Sequence, residues 1–263
     1  MNARRTRTAP VAIAAVAAAL LTACTGSPQH AAAPSSLPRS DEPVSLDPAD
    51  FTTDIDNPYW PMKPGTQWVY RETDPAGDLT VHVTVTSQTK RIANGIEARV
   101  VRDSVTRGDE LVEDTFDWYA QDADGAIWYL GEDTAEFEGG RVVSRDGSFE
   151  AGVDGALPGI ALPAGPQPGM SYRQEYLAGE AEDEGAVLGV TELVEVPYGA
   201  FEGALLTRDT TPLEPTVEEL KFYATGVGPV LTLTSSGGSG REELLEVRTV
   251  PDGTGTGPLG SPD

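Results

Sequence analysis

Residues 79–86 read LTVHVTVT. In an extended chain Leu79, Val81, Val83 and Val85 fall on one side and Thr80, His82, Thr84 and Thr86 on the other. That two-residue period predicts a half-buried strand, and the β-branched residues suit a pleated surface. The runs IEARVVRDSV (96–105) and GAVLGVTELVEV (185–196) predict further strands. Gly, Asp, Asn and Pro punctuate the chain about every 8–12 residues, the spacing of an antiparallel meander. GREELLEVRTV (240–250) has helix-forming residues, but Val247, Thr249 and Val250 favour a closing strand.

The pattern repeats. KPGTQWVY (63–70) aligns with QPGMSYRQ (167–174), with Trp68 on Tyr172, at an offset of 104. DWYAQDADGAIWYL (117–130) aligns with KFYATGVGPVLTLT (221–234), with Tyr119 on Tyr223, again at 104. Between them ARVVRDSV (98–105) aligns with ALLTRDTT (204–211) at 106. Ordered matches at a near-constant offset signal repeated structure. The expected fold is all-β with little helix: two antiparallel meanders of about five or six strands, forming a sandwich or an open barrel. The expected layout is a first β repeat at 51–147, an irregular link at 148–168 and a second repeat at 169–250.

The ends read differently. Arg4, Arg5 and Arg7 precede an apolar run from Pro10 to Leu21, too short to span a bilayer. Leu21-Thr22-Ala23-Cys24 follows. This has the form of a lipobox, which predicts a signal peptide at 1–23, cleavage before Cys24 and lipidation of its thiol. Sec export is expected, with Arg4-Arg5 leaving the twin-arginine route as the alternative. Residues 24–50 read as the lipidated cysteine and a flexible tether, about 25–30 Å in mean span. Residues 251–263 read as a disordered tail. The expected location is the extracytoplasmic face of the cell membrane.

Charge narrows the partners. The chain has 18 basic and 42 acidic residues. Cleavage would remove three bases and no acids, leaving 15 against 42 and a formal charge of −27. Such a surface repels nucleic acid, so none is expected as partner. Cys24 is the only cysteine, so no disulfide can form within the chain.

Candidate chemistry is sparse. Asp122 and Asp124 sit in YAQDADGAIWYL, where Asp124-Gly125 predicts a hairpin turn. Ala120 and Gly131 occupy positions where an EF-hand needs ligands, so that loop is excluded; an irregular calcium site at the two aspartates is the alternative to a solvated turn. In the repeat alignment Gly226, Val227, Gly228 and Pro229 stand opposite 122–125 and carry no acid. Replacing both aspartates by asparagine is therefore expected to change little. His82 reads as a surface histidine. Trp60, Trp68, Trp118 and Trp128 serve core packing or line a ligand groove. SSGGSG (235–240) reads as a hairpin loop, and no nucleotide-binding or nucleophile motif is present. No catalytic residue, metal ligand or cofactor is expected, and Cys24 is the one site residue.

The phrases IDNPYWPMKPGTQWVY, VRDSV, GDELVEDTFDWYAQDADGAIWYLGEDT, FEAGVDGALPG and SYRQEYLAGEAEDE resemble a family of secreted bacterial proteins that includes lipoproteins. The resemblance runs from about Ile55 to Leu231. It implies export and a shared fold, and it brings no activity, substrate or site residue. The function expected from these features is binding: of an apolar or carbohydrate ligand between the sheets, or of an envelope protein. The alternative is a cell-envelope hydrolase using carboxylates from both repeats.

Overall fold

The structure, a computed structural model, describes residues 37–75 and 77–261. Among the described residues sixteen strands form one sheet. The first six are β1 (Phe51–Thr52), β2 (Thr66–Asp74), β3 (Gly77–Arg91), β4 (Glu97–Arg107), β5 (Glu110–Asp122) and β6 (Ile127–Glu138). Next come β7 (Arg141–Ser144), β8 (Phe149–Glu150), β9 (Leu157–Leu162), β10 (Ser171–Arg173) and β11 (Glu175–Tyr176). The last five are β12 (Glu184–Val196), β13 (Gly199–Thr210), β14 (Glu218–Ala224), β15 (Gly228–Ser236) and β16 (Arg241–Thr249). Pro48–Asp50 forms a single 3-10 turn, capped by the Asp47 carboxylate accepting from Ala49 N.

The order across the sheet is β10-β12-β13-β14-β15-β16-β2-β3-β4-β5-β6-β9-β11. It contains two meanders, β2 to β6 and β12 to β16, and β16 pairs with β2 to join them. The two ends of the order, β10 and β11, are consecutive in the chain with only Gln174 between them. The covalent chain thus bridges the gap that the ladders leave, and the sheet curls almost into a barrel. Arg173 fastens this seam. Its Nε and Nη2 donate to Pro158 O (3.2 and 2.7 Å), and its Nη1 donates to Ser40 O and Glu42 O (2.6 and 2.8 Å).

Cross-strand register is similar when β2 to β6 are set against β10 with β12 to β15, the strands of the two expected repeats. Trp68 pairs with Val83, and Tyr172 with Gly185. Val101 pairs with Asp117, and Thr207 with Lys221. Tyr119 pairs with Tyr129, and Tyr223 with Pro229. The last comparison sets Pro229 against Tyr129, so the second hairpin has a shorter turn, and the expected correspondence of Gly226–Pro229 with 122–125 does not hold.

Three segments are more ordered than the sequence suggests. The link expected to be irregular carries β8 and β9, and β9 pairs with both β6 and β11. Residues 37–50, expected as tether, lie against the sheet: Leu37, Val44 and Leu46 pack on the core, and Arg173 N donates to Pro38 O. The tail at 251–261 is pinned by Arg102. All five guanidinium N–H groups find acceptors on Asp114 and on the carbonyls of Gly255, Gly257 and Pro258. Asp114 also accepts from Gly260 N at 2.6 Å. Arg102 and Asp114 are 1% and 0% exposed, so this polar cluster is fully covered. Cys24, the expected signal peptide at 1–23 and residues 24–36 of the expected tether lie outside the described residues.

Candidate functional site

Strand alternation decides what faces the interior. Val101, Asp103 and Val105 lie on one face of β4, and Arg102 and Ser104 on the other. The inner face of β4 joins Tyr70, Val83, Asp117 and Tyr119 around a cavity of about 390 Å³. Six carboxyls line it: Asp103, Asp117, Glu132, Glu175, Asp183 and Glu242. Lys221 is the one cation among the described lining residues. A second cavity, of about 330 Å³, lies beside Leu79, Val105 and Phe137.

Aromatic rings complete the wall. Trp60 projects from the segment between β1 and β2, which the isolated bridge Ile55–Met62 closes into a loop. Its ring lies 5.3 Å from that of Tyr119 and 5.9 Å from that of Tyr223, one from each meander. Tyr119 stacks on Tyr129 at 5.0 Å. Gly228 allows this approach: it has φ +117°, and a Cβ there would come within 3.2 Å of both Trp60 and Trp68.

The carboxyls are strained electrostatically. The Tyr129 hydroxyl lies 2.8 Å from Asp117 Oδ1 and 2.8 Å from Glu132 Oε2. A phenol has one proton to give. It can hydrogen-bond to both carboxyls only if it donates to one and accepts from the other in its protonated form. Burial accordingly pushes Asp117 up to about 7, countered in part by the Tyr129 hydrogen bond and reinforced by Glu113. Burial and then the Asp117 charge push Glu132 up to about 8. Burial and Glu72 push Glu242 up to about 7. Burial, then Asp117 and Glu242, hold Asp103 well above the ordinary carboxylate range. Asp103 Oδ1 is buried and has no hydrogen-bond partner. Lys221 is raised chiefly by Asp209, whose Oδ2 lies 2.9 Å from its Nζ, against the effect of burial.

The residues singled out in the sequence are mostly elsewhere. Asp122 builds its turn: Oδ1 accepts from Asp124 N and Ala126 N, and Oδ2 accepts from Trp128 Nε1 at 2.8 Å. Asp124 is exposed, and Gly125 takes φ +95° as the turn requires. Asp122 is thus a scaffold for the hairpin, beyond the solvated turn expected. His82 is half-buried, and burial and Arg248 lower its pKa. Trp68 donates to Val227 O at 2.7 Å within the core, Trp118 lies under Lys90 Nζ, and Trp128 packs edge-on to Phe51. Of the four tryptophans only Trp60 lines this cavity. The cavity acids escaped notice in the sequence, although Asp103 sits in phase with Val101 and Val105. Arg102 and Val100 on the opposite face are buried too, which blurs the alternation.

No family model and no curated protein matches the sequence. Two solved structures are similar in fold. One is a protein described as exported and of YmcC-like fold from Bacteroides fragilis NCTC 9343, with 14% identity and a TM-score of 0.43; the match covers 74% of this chain and 100% of that one. The other is described as a lipoprotein from Parabacteroides distasonis ATCC 8503, with 13% identity and a TM-score of 0.40; it covers 72% and 98%. At such scores neither likeness bears on function.

Proposed function

We propose that this protein is a lipid-anchored extracytoplasmic binding protein that holds a small molecule inside its curled sheet. The cavity carries this reading. Its volume of about 390 Å³ suits a small ligand, and its wall combines aromatic faces with convergent polar groups from both meanders. An apolar ligand fits poorly, because it would bury several carboxyls without partners. The test is native mass spectrometry of protein purified from its own membranes. A bound small molecule is expected in the parent and lost in Ala161→Trp, which fills the cavity. A parent free of ligand, or a molecule retained by a folded Ala161→Trp variant, would overturn the reading.

Anchoring rests on the leader and Cys24. Cys24→Ser should release the protein from membranes and abolish incorporation of radiolabelled lipid. A variant that still fractionates with membranes would defeat the anchor.

One observation favours a hydrolase as the second reading. Glu132, pushed to about 8, is protonated at neutral pH beside Asp117, as a general acid has to be. Release of soluble fragments from purified cell wall, lost in Glu132→Gln, would support it; no release would reject it.

We also infer that β2 to β6 and the set β10 with β12 to β15 arose by duplication. Support comes from their strand order, from the paired registers and from Trp60 lying between Tyr119 and Tyr223.

A further inference from the structure

The two meanders differ at one diagonal. On β5, Asp117 pairs with Val101 of β4; on β14, Lys221 pairs with Thr207 of β13. Two residues beyond those partners stand Asp103 and Asp209. In register, therefore, Asp103 is to Asp117 as Asp209 is to Lys221. The second diagonal is an ion pair, with Lys221 Nζ 2.9 Å from Asp209 Oδ2. The first sets acid against acid, and both acids line the cavity. One half of the barrel carries its own ammonium, and the other half has the carboxylates without it.

Four further observations bear on what could fill that place. Asp103 Oδ1 is buried with no partner, a costly state for a carboxyl oxygen. Lys221 cannot serve as counter-ion, because Asp209 and Glu219 (3.9 Å) already flank it. The neighbouring surface is aromatic, with Tyr119 two residues from Asp117 and Trp60 against Tyr119; such rings attract cations. The acids are also spread around the wall. Among the described residues no three His, Cys, Asp or Glu side chains are grouped to hold one metal ion. That distribution suits an extended organic cation better than a bare metal ion, which needs several oxygen ligands on one point.

We propose that the cavity binds an organic ammonium ion whose nitrogen sits against Asp103 and Asp117, the place that register gives to Lys221 Nζ beside Asp209. This rests on the reading of the cavity as a ligand site. The carbon part of the ligand lies along Trp60 and Tyr119. The ligand adds to one meander the charge that the other already holds.

The experiment compares choline with 3,3-dimethylbutan-1-ol, its neutral analogue of the same shape. Each is titrated into the full-length protein at constant ionic strength and followed by tryptophan fluorescence and thermal melting. Choline should shift both signals, and the alcohol should bind at least tenfold more weakly. Asp103→Asn and Asp117→Asn should each lower choline affinity at least tenfold. Asp103→Asn should melt at or above the parent temperature, because a buried, unpartnered acid is removed. An alcohol equal to choline would overturn the inference, as would choline affinity unchanged in both variants or a shift produced equally by sodium or calcium chloride. If both probes bind with equal affinity and Ala161→Trp abolishes both, the ammonium inference fails and the cavity is a ligand site of other chemistry. If neither probe binds the parent, the ammonium inference fails, and the mass-spectrometric comparison of parent and Ala161→Trp decides the cavity reading separately.

Discussion

Arg102 Nε donates to Asp114 Oδ1 at 2.8 Å across the β4–β5 pair, on the face turned away from the cavity. That ion pair is what makes the C-terminal segment part of the domain. Residues 251–261 have little apolar content, and they stay against the sheet because their carbonyls complete the guanidinium and the Gly260 N–H completes the carboxylate. Asp114→Ala should destabilise the protein by about 3–5 kcal/mol, since it leaves a buried arginine uncompensated. Replacing both partners, as Arg102→Met with Asp114→Leu, should cost less than Asp114→Ala alone. Urea denaturation of the three proteins checks this; a double variant as unstable as the single one would refute it.

Stability should fall as pH rises from the acid side of neutrality. The native pKa values of Asp117, Glu132 and Glu242, about 7, 8 and 7, lie above their ordinary values near 4. Between those limits the native state binds more protons than the unfolded state, so the slope of stability against pH is negative. This contribution is fully present below about pH 4 and is lost as pH passes through 7 to 8. The urea midpoint should be lower at pH 8.5 than at pH 5.5, and Glu132→Gln should flatten the difference. A midpoint that rises over this interval would contradict the assignment. Asp117, Tyr129, Glu113 and Asp183 act on Glu132 and remain in the variant, so the flattening reports the loss of the Glu132 carboxyl together with the response of Asp117 beside it.

The two aspartates of the first hairpin should separate cleanly. Asp122→Ala removes acceptors from two backbone N–H groups and from the Trp128 indole, and should cost about 1–3 kcal/mol. Asp122→Asn should also destabilise, because its amide end cannot accept from Trp128 if its oxygen serves the backbone. Asp124→Asn should stay within about 0.5 kcal/mol. Thermal melts with and without calcium complete the test. Equal losses at both positions, or a calcium shift confined to the parent, would contradict the scaffold role.

Duplication is testable from sequence. Profiles built separately from relatives of residues 66–138 and 171–236 should align with Tyr119 on Tyr223 and Trp68 on Tyr172. Alignment in another register would end the claim.

The strands were legible from their residue types and alternation. The alternation at 79–86 marks β3, although Thr84 and Thr86 on its polar side are buried as well, and the β-branched Val247 and Thr249 mark β16. The ordered tail and the docked segment at 37–50 were not legible, since each depends on contacts with residues distant in sequence, the Arg102 guanidinium for the tail and Arg173 with the apolar core for 37–50. Local composition carries no trace of such a contact. The cavity was hidden for a related reason. Asp103, Asp117 and Lys221 each look like surface charges in isolation, and only the register of four strands turns their side chains to a common interior. The diagonal Asp209–Lys221 was within reach: the aligned phrases VRDSV and TRDTT already set Asp103 on Asp209, and DWYA and KFYA set Asp117 on Lys221.

The pairing of β16 with β2 has a consequence for biosynthesis. Thr66 lies opposite Thr249, so a nascent chain carries the bare backbone edge of β2 until nearly the whole domain has been made. An open edge beside an incomplete core is a template for pairing with another chain. The acidic surface works against that outcome by keeping unfinished copies apart through charge repulsion. The wait also makes closure a late and long-range event, of the kind that slows folding. Removing β16 should therefore leave a chain that associates through β2, even though the first meander is complete.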